Sequence, residues 1–446
     1  MNIRAEIQYN GRPNASGFKP VRLLKDDGSC LCQLDVTFSN LASLTQTNSR
    51  AIDFLLLAAV VYSMDKKLLR KTADDSWTRN YSLMLPVSDV EAWRLGKSEL
   101  DSCLSFLTGD VWDVNYYAQT GTPIEPVQQA LALQPTANAV CLFSGGLDSL
   151  IGAIDWLSEN TDGSLVAVGH YDEQMKGPKS DQEQLLPRIQ RAYPDRFDLI
   201  QVRIGHRNDL ERKSEITLRS RSLVFIALGV YVASALGRDV PMLIPENGTI
   251  ALNVPLSPSR RGSCSTRTAH PYYLVKLRRI LTGLGVLNAI SNPLEEKTKG
   301  EAVSQCLNPQ LLNELARLSV SCAKRGHRRY FTNRDAKSCG RCMPCIYRRA
   351  ALHTIGLDNE LYGDNFCTGD VNINANGIKP NDLRACLAFL KNNASLSEIS
   401  SLLMTNGSLD ATKLPAYSMM VQRAMSEIRN LLRDKATTEI KRLAGL

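Results

Sequence analysis

Ala139-Val140-Cys141-Leu142-Phe143-Ser144-Gly145-Gly146-Leu147-Asp148-Ser149-Leu150 changes character twice within a short span. An apolar run of strand type breaks into Ser-Gly-Gly, and after Asp148 the spacing of Leu150, Ile151, Ile154 and Leu157 is helical. Two glycines let a backbone approach a phosphate, and successive N–H groups at a helix start form an anion-binding nest. Ser144 and Ser149 add hydroxyl donors, and Asp148 is suited to hold magnesium on a polyphosphate. The Gly-Lys-Ser/Thr ending of a kinase or ATPase P-loop is absent. An ordinary Gly-Gly strand-to-helix turn needs neither the two serines nor the aspartate.

Outward from this stretch, residues 137 to about 355 alternate between strand and helix patterns. Strands are expected at Ala139–Phe143, Leu165–Gly169, Phe197–Ile204 and Pro241–Pro245, and helices at Leu147–Glu159, Gln182–Tyr193, Ile216–Leu236 and Pro271–Leu284. Such alternation predicts an α/β fold with a parallel sheet and a ligand crevice at the strands' C-terminal ends. Residues 1–125 read as a separate α+β domain with an apolar helix around Ile52–Met64, joined by a linker near Gly121–Pro126. Residues 356–446 read as a helical extension, in which the alternating charge of Tyr417–Leu432 predicts a solvated helix.

Eight of the twelve cysteines are scattered singly, and most of these read as small buried hydrophobes. The other four are grouped: Cys339, Cys342 and Cys345 recur every third residue, and Cys322 lies just upstream. Four such thiolates predict a closed tetrahedral zinc site of structural character, in preference to an iron–sulfur cluster or a redox pair. His327 is an alternative ligand, although it sits among arginines that suit a surface.

Ser144-Gly145-Gly146-Leu147-Asp148-Ser149 matches the SGGxDS signature of ATP pyrophosphatases, which as a group adenylate a substrate oxygen and release pyrophosphate. Together with Cys339, Gly340, Cys342, Cys345 and Arg348 as CGxCxxCxxR, it resembles the 7-cyano-7-deazaguanine synthase (QueC) family. Arg219-Ser220-Arg221-Ser222 resembles that family's arginine-led helix, with Ser222 where asparagine is usual. Pro293-Leu294 followed by Lys299-Gly300-Glu301 resembles its PLxxxxKxE segment.

The resemblance covers residues 137–355 and implies a Rossmann-like adenine-nucleotide-hydrolase sandwich with a structural zinc module. It implies ATP and magnesium on Ser144, Gly145, Gly146, Asp148, Ser149 and Arg221, with Lys299 stabilising the departing pyrophosphate. A surface lysine is the other reading of Lys299. The implied reaction is activation of 7-carboxy-7-deazaguanine as an acyl-adenylate, which an amine then attacks.

The chain departs from the family in length and in its substrate segment. In place of the usual motif stand Glu246-Asn247, Asn253, Ser259–Ser263 and Thr266-Arg267-Thr268-Ala269-His270. Glu246 suits a guanine-type amino and ring N–H pair, Asn247 and Asn253 an amide edge, and Arg267 a carboxylate or α-phosphate. His270 is a candidate base for the amine, or simply a cap residue before a helix. The extra length resembles the longer QueC-like, QatC-type proteins of bacterial antiphage operons. That likeness implies partner proteins from the same operon and an acceptor amine from ammonia or a macromolecule. Two other readings stand beside the ligase. One is a nucleotide-sensing scaffold; the other is a tRNA-modifying enzyme, whose thiolation chemistry needs a reactive cysteine beside the loop.

Composition sets outer bounds. The 446 residues suffice for two or three domains, and 43% hydrophobic with 22% charged residues is an ordinary soluble balance. No apolar signal core opens the sequence, and the run Phe54 to Tyr62 is too short to span a bilayer, so a cytoplasmic protein with no membrane partner is expected. A net charge of +8 permits anionic partners without marking a nucleic-acid binder. Lys324, Arg325, Arg328, Arg329, Arg334 and Lys337 cluster around the cysteines and suit phosphates, a tRNA or a solvated face.

Overall fold

The computed structural model describes residues 1–39, 48–125, 137–171, 177–207, 214–215, 217, 219–258 and 267–446. One ten-stranded sheet organises the chain. Its N-terminal half comprises β1 (Asn2–Ile7), β2 (Val21–Lys25), β3 (Cys30–Ser39), β4 (Asn80–Val87) and β5 (Val111–Ala118). Its second half comprises β6 (Ala137–Leu142), β7 (Ser164–Tyr171), β8 (Phe197–Arg207), β9 (Met242–Leu243) and β10 (Ile290–Ser291). The order is β10-β9-β6-β7-β8-β3-β2-β1-β4-β5. Six of the nine pairings are parallel and three antiparallel.

The second half is covered on both faces. Val140 and Leu142 of β6 join one hydrophobic cluster and Ala139 and Cys141 the other, as a period of two requires. On the first face lies α6 (Arg221–Leu236), apolar nearly all round, packed against α1 (Ser49–Lys67). On the other lie α4 (Leu147–Glu159) and α5 (Gly177–Ala192). In the N-terminal half, β1 and β5 alternate buried and exposed residues, so one face is covered and the other meets solvent. The helices α2 (Val90–Leu95) and α3 (Lys97–Thr108) bury Trp93, Leu100 and Leu104 in the covered side.

The N-terminal segment was expected to be a domain of its own, yet it shares this sheet. β3 pairs antiparallel with β8 over seven residue pairs, from Gln33–Arg207 to Ser39–Gln201, and α1 and α6 bury their apolar surfaces in one cluster. Two helices without a polar face cannot end separate domains, because each needs the other to leave water. Of the expected strands, Pro241–Pro245 shortens to two residues; among the helices, α4 has the expected bounds.

Short helices follow: α7 (Gly248–Leu252), α8 (Pro271–Gly283), α9 (Lys299–Ser304) and α10 (Pro309–Leu315). After α11 (Met343–Thr354) the C-terminal extension is helical: α12 (Asn381–Asn392), α13 (Leu396–Met404), α14 (Leu414–Lys435) and α15 (Thr438–Leu443) share one core with α11. Tyr417, Met420, Val421, Met425 and Ile428 make α14 the centre of this bundle, correcting the expectation of a solvated helix. Most of its charges occupy the opposite stripe, while Glu427 turns inward to α9. Among the described residues no helix is long and apolar enough to cross a membrane.

Candidate active site

β6 ends beneath a tight turn. Gly145 adopts φ +79°, which favours glycine, and a Cβ there would press on the Asp181 Cβ at 3.2 Å and the Gln182 nitrogen at 3.3 Å. Gly146 is the N-cap of α4 and supplies no capping side chain. The loop is wired internally. Ser144 Oγ accepts from the Gly146 N–H at 3.2 Å and lies 3.2 Å from Ser149 Oγ, which donates to the Gly146 carbonyl at 3.0 Å. Beside it opens a cavity of about 610 Å³, bordered by Ser144, Gly146, Asp148 and Ser149. Its position at the C-terminal ends of β6 and β9 is the crevice that α/β topology provides.

Across the cavity, Lys299 Nζ donates to both Asp148 oxygens at 2.6 Å, and Asn247 Nδ2 donates to Oδ2 at 3.0 Å. Lys299 opens α9 and is almost wholly buried. Glu246 borders the same space. Burial, then the neighbouring Asp148 charge, pushes its carboxyl up to about 7, while Lys299 pulls the other way. Arg221 also faces the cavity, steadied by Nη2 donating to the His170 carbonyl at 3.1 Å.

The cysteine sulfurs of Cys322, Cys339, Cys342 and Cys345 lie within 4.8 Å of one another. Tetrahedral zinc, with Zn–S bonds of about 2.3 Å, needs sulfurs roughly 3.8 Å apart, and Cys339 Sγ and Cys345 Sγ are 3.8 Å apart. Backbone N–H groups of Lys324 and Cys339 point at Cys322 Sγ (3.3 and 3.2 Å), and that of Cys342 at Cys339 Sγ (3.3 Å), as suits thiolate acceptors. Gly340 has φ +81°, and a Cβ there would meet the Asp364 carbonyl at 2.7 Å. The cluster can hold a metal such as zinc with no position left for water. His327 is exposed and stands outside it.

This cluster abuts the loop. The Val320 N–H donates to the Gly145 carbonyl at 3.0 Å, and Ser321 Oγ accepts from the Leu147 N–H at 3.2 Å. Arg348, fully buried, anchors the preceding residues by donating to Ser319 Oγ (2.9 Å) and the Ala316 carbonyl (2.7 Å), and its charge is met by Glu360 (3.0 Å). The terminal arginine of the CGxCxxCxxR pattern therefore holds the segment that braces the loop.

The structure gathers Ser144, Gly145, Gly146, Asp148, Ser149, Arg221, Glu246 and Lys299 around the cavity or its loop. It places Arg267, His270 and Asn253 elsewhere. Arg267 donates to the Phe106 carbonyl and to Asn406 Oδ1 (3.2 Å) and stacks 4.1 Å from the Phe106 ring, so its charge ties α3 to the turn after α13. His270 caps α8 through the Tyr272 N–H, and burial followed by Arg267 holds its ring down to about 3, so it is neutral and away from the cavity. Asn253 terminates α7 in a left-handed conformation, φ 46°. Asn247 serves Asp148 and caps α7, an occupied amide rather than an open reading edge. Residues 259–266 lie outside the described residues.

Three residues bear on the site without a signal in sequence. Asp181 borders the cavity beside Gly145, and burial pushes it up to about 6 against Arg325 and Lys337. Ser321 braces the loop. Glu427 of α14 accepts from the Thr298 hydroxyl and the Gly300 N–H (3.2 Å) on either side of Lys299, and burial raises it to about 7. Only pattern-free tertiary contact reveals them. The chain matches no protein-family model, no curated protein and no solved structure.

Proposed function

We propose that this protein is an ATP-dependent carbon–nitrogen ligase that adenylates a 7-deazaguanine-type carboxylate and transfers the acyl group to an amine. The observation that carries the adenylation is the Asp148–Lys299 pair set across a glycine loop and helix start, facing one cavity. The deazapurine substrate, and a setting in antiphage defence, follow from the resemblance of the loop and cysteine motifs.

In this reading the start of α4 and the Ser144 and Ser149 hydroxyls bind the polyphosphate. Asp148 would hold magnesium, which would supply neutralisation of the phosphate charge. Lys299, beside Asp148 at the cavity, is placed to meet the charge that grows on the departing pyrophosphate. A substrate carboxylate oxygen attacks the α-phosphorus in line, the bond to the bridging oxygen breaks, and pyrophosphate leaves. The amine nitrogen then attacks the acyl carbon, AMP departs, and the amine's proton passes to solvent, leaving an amide. Glu246 accepts from N–H donors of the base, which favour its ionised form. The four cysteines, closed around a metal, take no chemical part; they hold Val320 and Ser321 against the loop. Cys141 is buried and its thiol is pushed up to about 12, which disfavours a thiolating enzyme.

The test is to incubate the protein with Mg-ATP and 7-carboxy-7-deazaguanine, with and without ammonium, and resolve products by mass spectrometry. AMP and pyrophosphate formed only with the carboxylate, and lost in Asp148→Ala, are expected. ATP binding without AMP under any condition overturns the ligase and leaves a nucleotide sensor.

A further inference from the structure

Arg325 lies on the wall formed by the cysteine segment, in a 3-10 turn spanning Arg325–Tyr330. Its guanidinium borders the cavity. Nη2 donates to Asp181 Oδ1 at 2.6 Å, while Nη1 is shielded from water and has no hydrogen-bond partner among the described residues. A shielded donor without an acceptor is unfavourable, so the site is ready to take an acceptor there.

The other cations of the cavity are differently placed. Lys299 is committed to Asp148, Arg221 leans on His170, Lys337 donates to Gln184 Oε1 at 3.0 Å, and Arg328 donates to the Arg334 carbonyl. Arg325 is also unusually constrained. A Cβ on Gly177 would lie 2.4 Å from its Nε, so the side chain runs close against the first residue of α5. Its own N–H donates to the Cys322 carbonyl at 3.4 Å, placing it one short turn beyond a cysteine of the cluster. Asp181, its partner, is the side chain that a Cβ on Gly145 would approach to 3.2 Å. The guanidinium thus stands one side chain away from the loop that carries the anion nest.

We infer that Arg325 is the residue that grips the β,γ-phosphate end of the nucleotide, with Asp181 holding its guanidinium ready. This rests on reading the cavity as an ATP site. A guanidinium is suited to the task because its fork engages one carboxylate oxygen and a phosphate together, which an ammonium cannot do. An arriving pyrophosphate group supplies the acceptor that Nη1 lacks. A purely structural role, tying the cysteine segment to α5, is the competing account.

The two accounts separate by direct binding, without turnover. Inorganic pyrophosphate and AMP are titrated separately by calorimetry into the metal-loaded full chain, its Arg325→Ala and Arg325→Lys variants and Asp181→Asn. Thermal midpoint and metal content are recorded for each. For Arg325→Ala, pyrophosphate affinity is expected to fall about ten- to hundredfold, as befits lost charge-assisted bonds, with AMP affinity within about twofold. Arg325→Lys, which keeps charge and bulk, is expected to fall between wild type and alanine, and Asp181→Asn to lose less than alanine. The inference is overturned if wild type binds no pyrophosphate, if both Arg325 variants bind it like wild type, or if AMP affinity falls in proportion. Should Arg325→Ala not fold, the lysine variant decides alone by the same ratio. Pyrophosphate binding lost selectively in a chain that makes no AMP would retain Arg325 and remove the ligase, so the two failures are distinguishable.

Discussion

The two walls of the cavity are built on opposite principles. One is a single strand, turn and helix: Ser144 to Ser149 are adjacent in sequence and share hydrogen bonds, with Val320 and Ser321 bracing them from outside. The other brings Glu246, Lys299 and Arg325 from three separate segments, each held by something remote. Asn247 caps the helix after Glu246, Glu427 reaches in from α14 to flank Lys299, and the cysteine cluster sets the turn of Arg325. A local cradle can bind a phosphate with few requirements, whereas the opposed wall makes the charge arrangement depend on the whole fold.

The largest expected effect comes from the pair joining the walls. Asp148→Asn should lower adenylation by about 10³ or more and leave Lys299 buried without its counter-charge, which costs about 3 kcal/mol of stability. Pyrophosphate release and urea unfolding measure the two; an unchanged rate breaks the assignment.

Stripping metal with a chelator, or Cys342→Ser, attacks the remote wall and the brace it gives the loop. The thermal midpoint should fall by several degrees, at roughly 2–4 °C per kcal/mol for domains of about 150–250 residues. Nucleotide binding should weaken with it, because Val320 and Ser321 lose their anchor. Nucleotide titration of the stripped protein checks this, and undiminished affinity would show the local wall to be self-sufficient.

Arg267→Ala should cost about 1–3 kcal/mol of stability through its lost bonds, with kcat and KM within about twofold. Steady-state kinetics beside thermal unfolding would show the reverse if Arg267 clamps substrate.

The smallest effect concerns Glu246. Its carboxyl is raised to about 7 from an ordinary 4.5, so the folded state binds the proton more tightly than the unfolded one. Its stabilising contribution is full below about pH 4.5 and is lost as pH rises through about 7. Over pH 6–8 a second negative charge appears beside Asp148, so ATP affinity should decline about two- to threefold. Glu246→Gln should flatten both trends, read by titrations at each pH.

These walls also explain what sequence could reveal. The bounds of α4, the Gly145 turn and the four-cysteine set were legible because each depends on neighbours a few residues away. The α/β class followed from alternating periodicity. The role of Arg267 was misread because guanidinium chemistry suits a carboxylate and a protein carbonyl alike, and only packing against Phe106 decides. The burial of α14 was hidden behind its charged stripe. Nothing local marks Asp181 or Glu427, whose importance comes from facing a backbone far away in sequence.

The seam between β3 and β8 has a consequence for synthesis on the ribosome. Arg203 donates to Asp35 across 168 positions of chain. At translation rates of about 5–20 residues per second, β3 emerges roughly 10–30 s before its partner. During that interval its hydrogen-bonding edge is open to any other nascent strand, and α1 has no α6 to cover its apolar surface. Productive yield in the cell thus becomes a race between completion of β8 and capture by a neighbouring polypeptide, one that slower elongation loses and a holding chaperone wins.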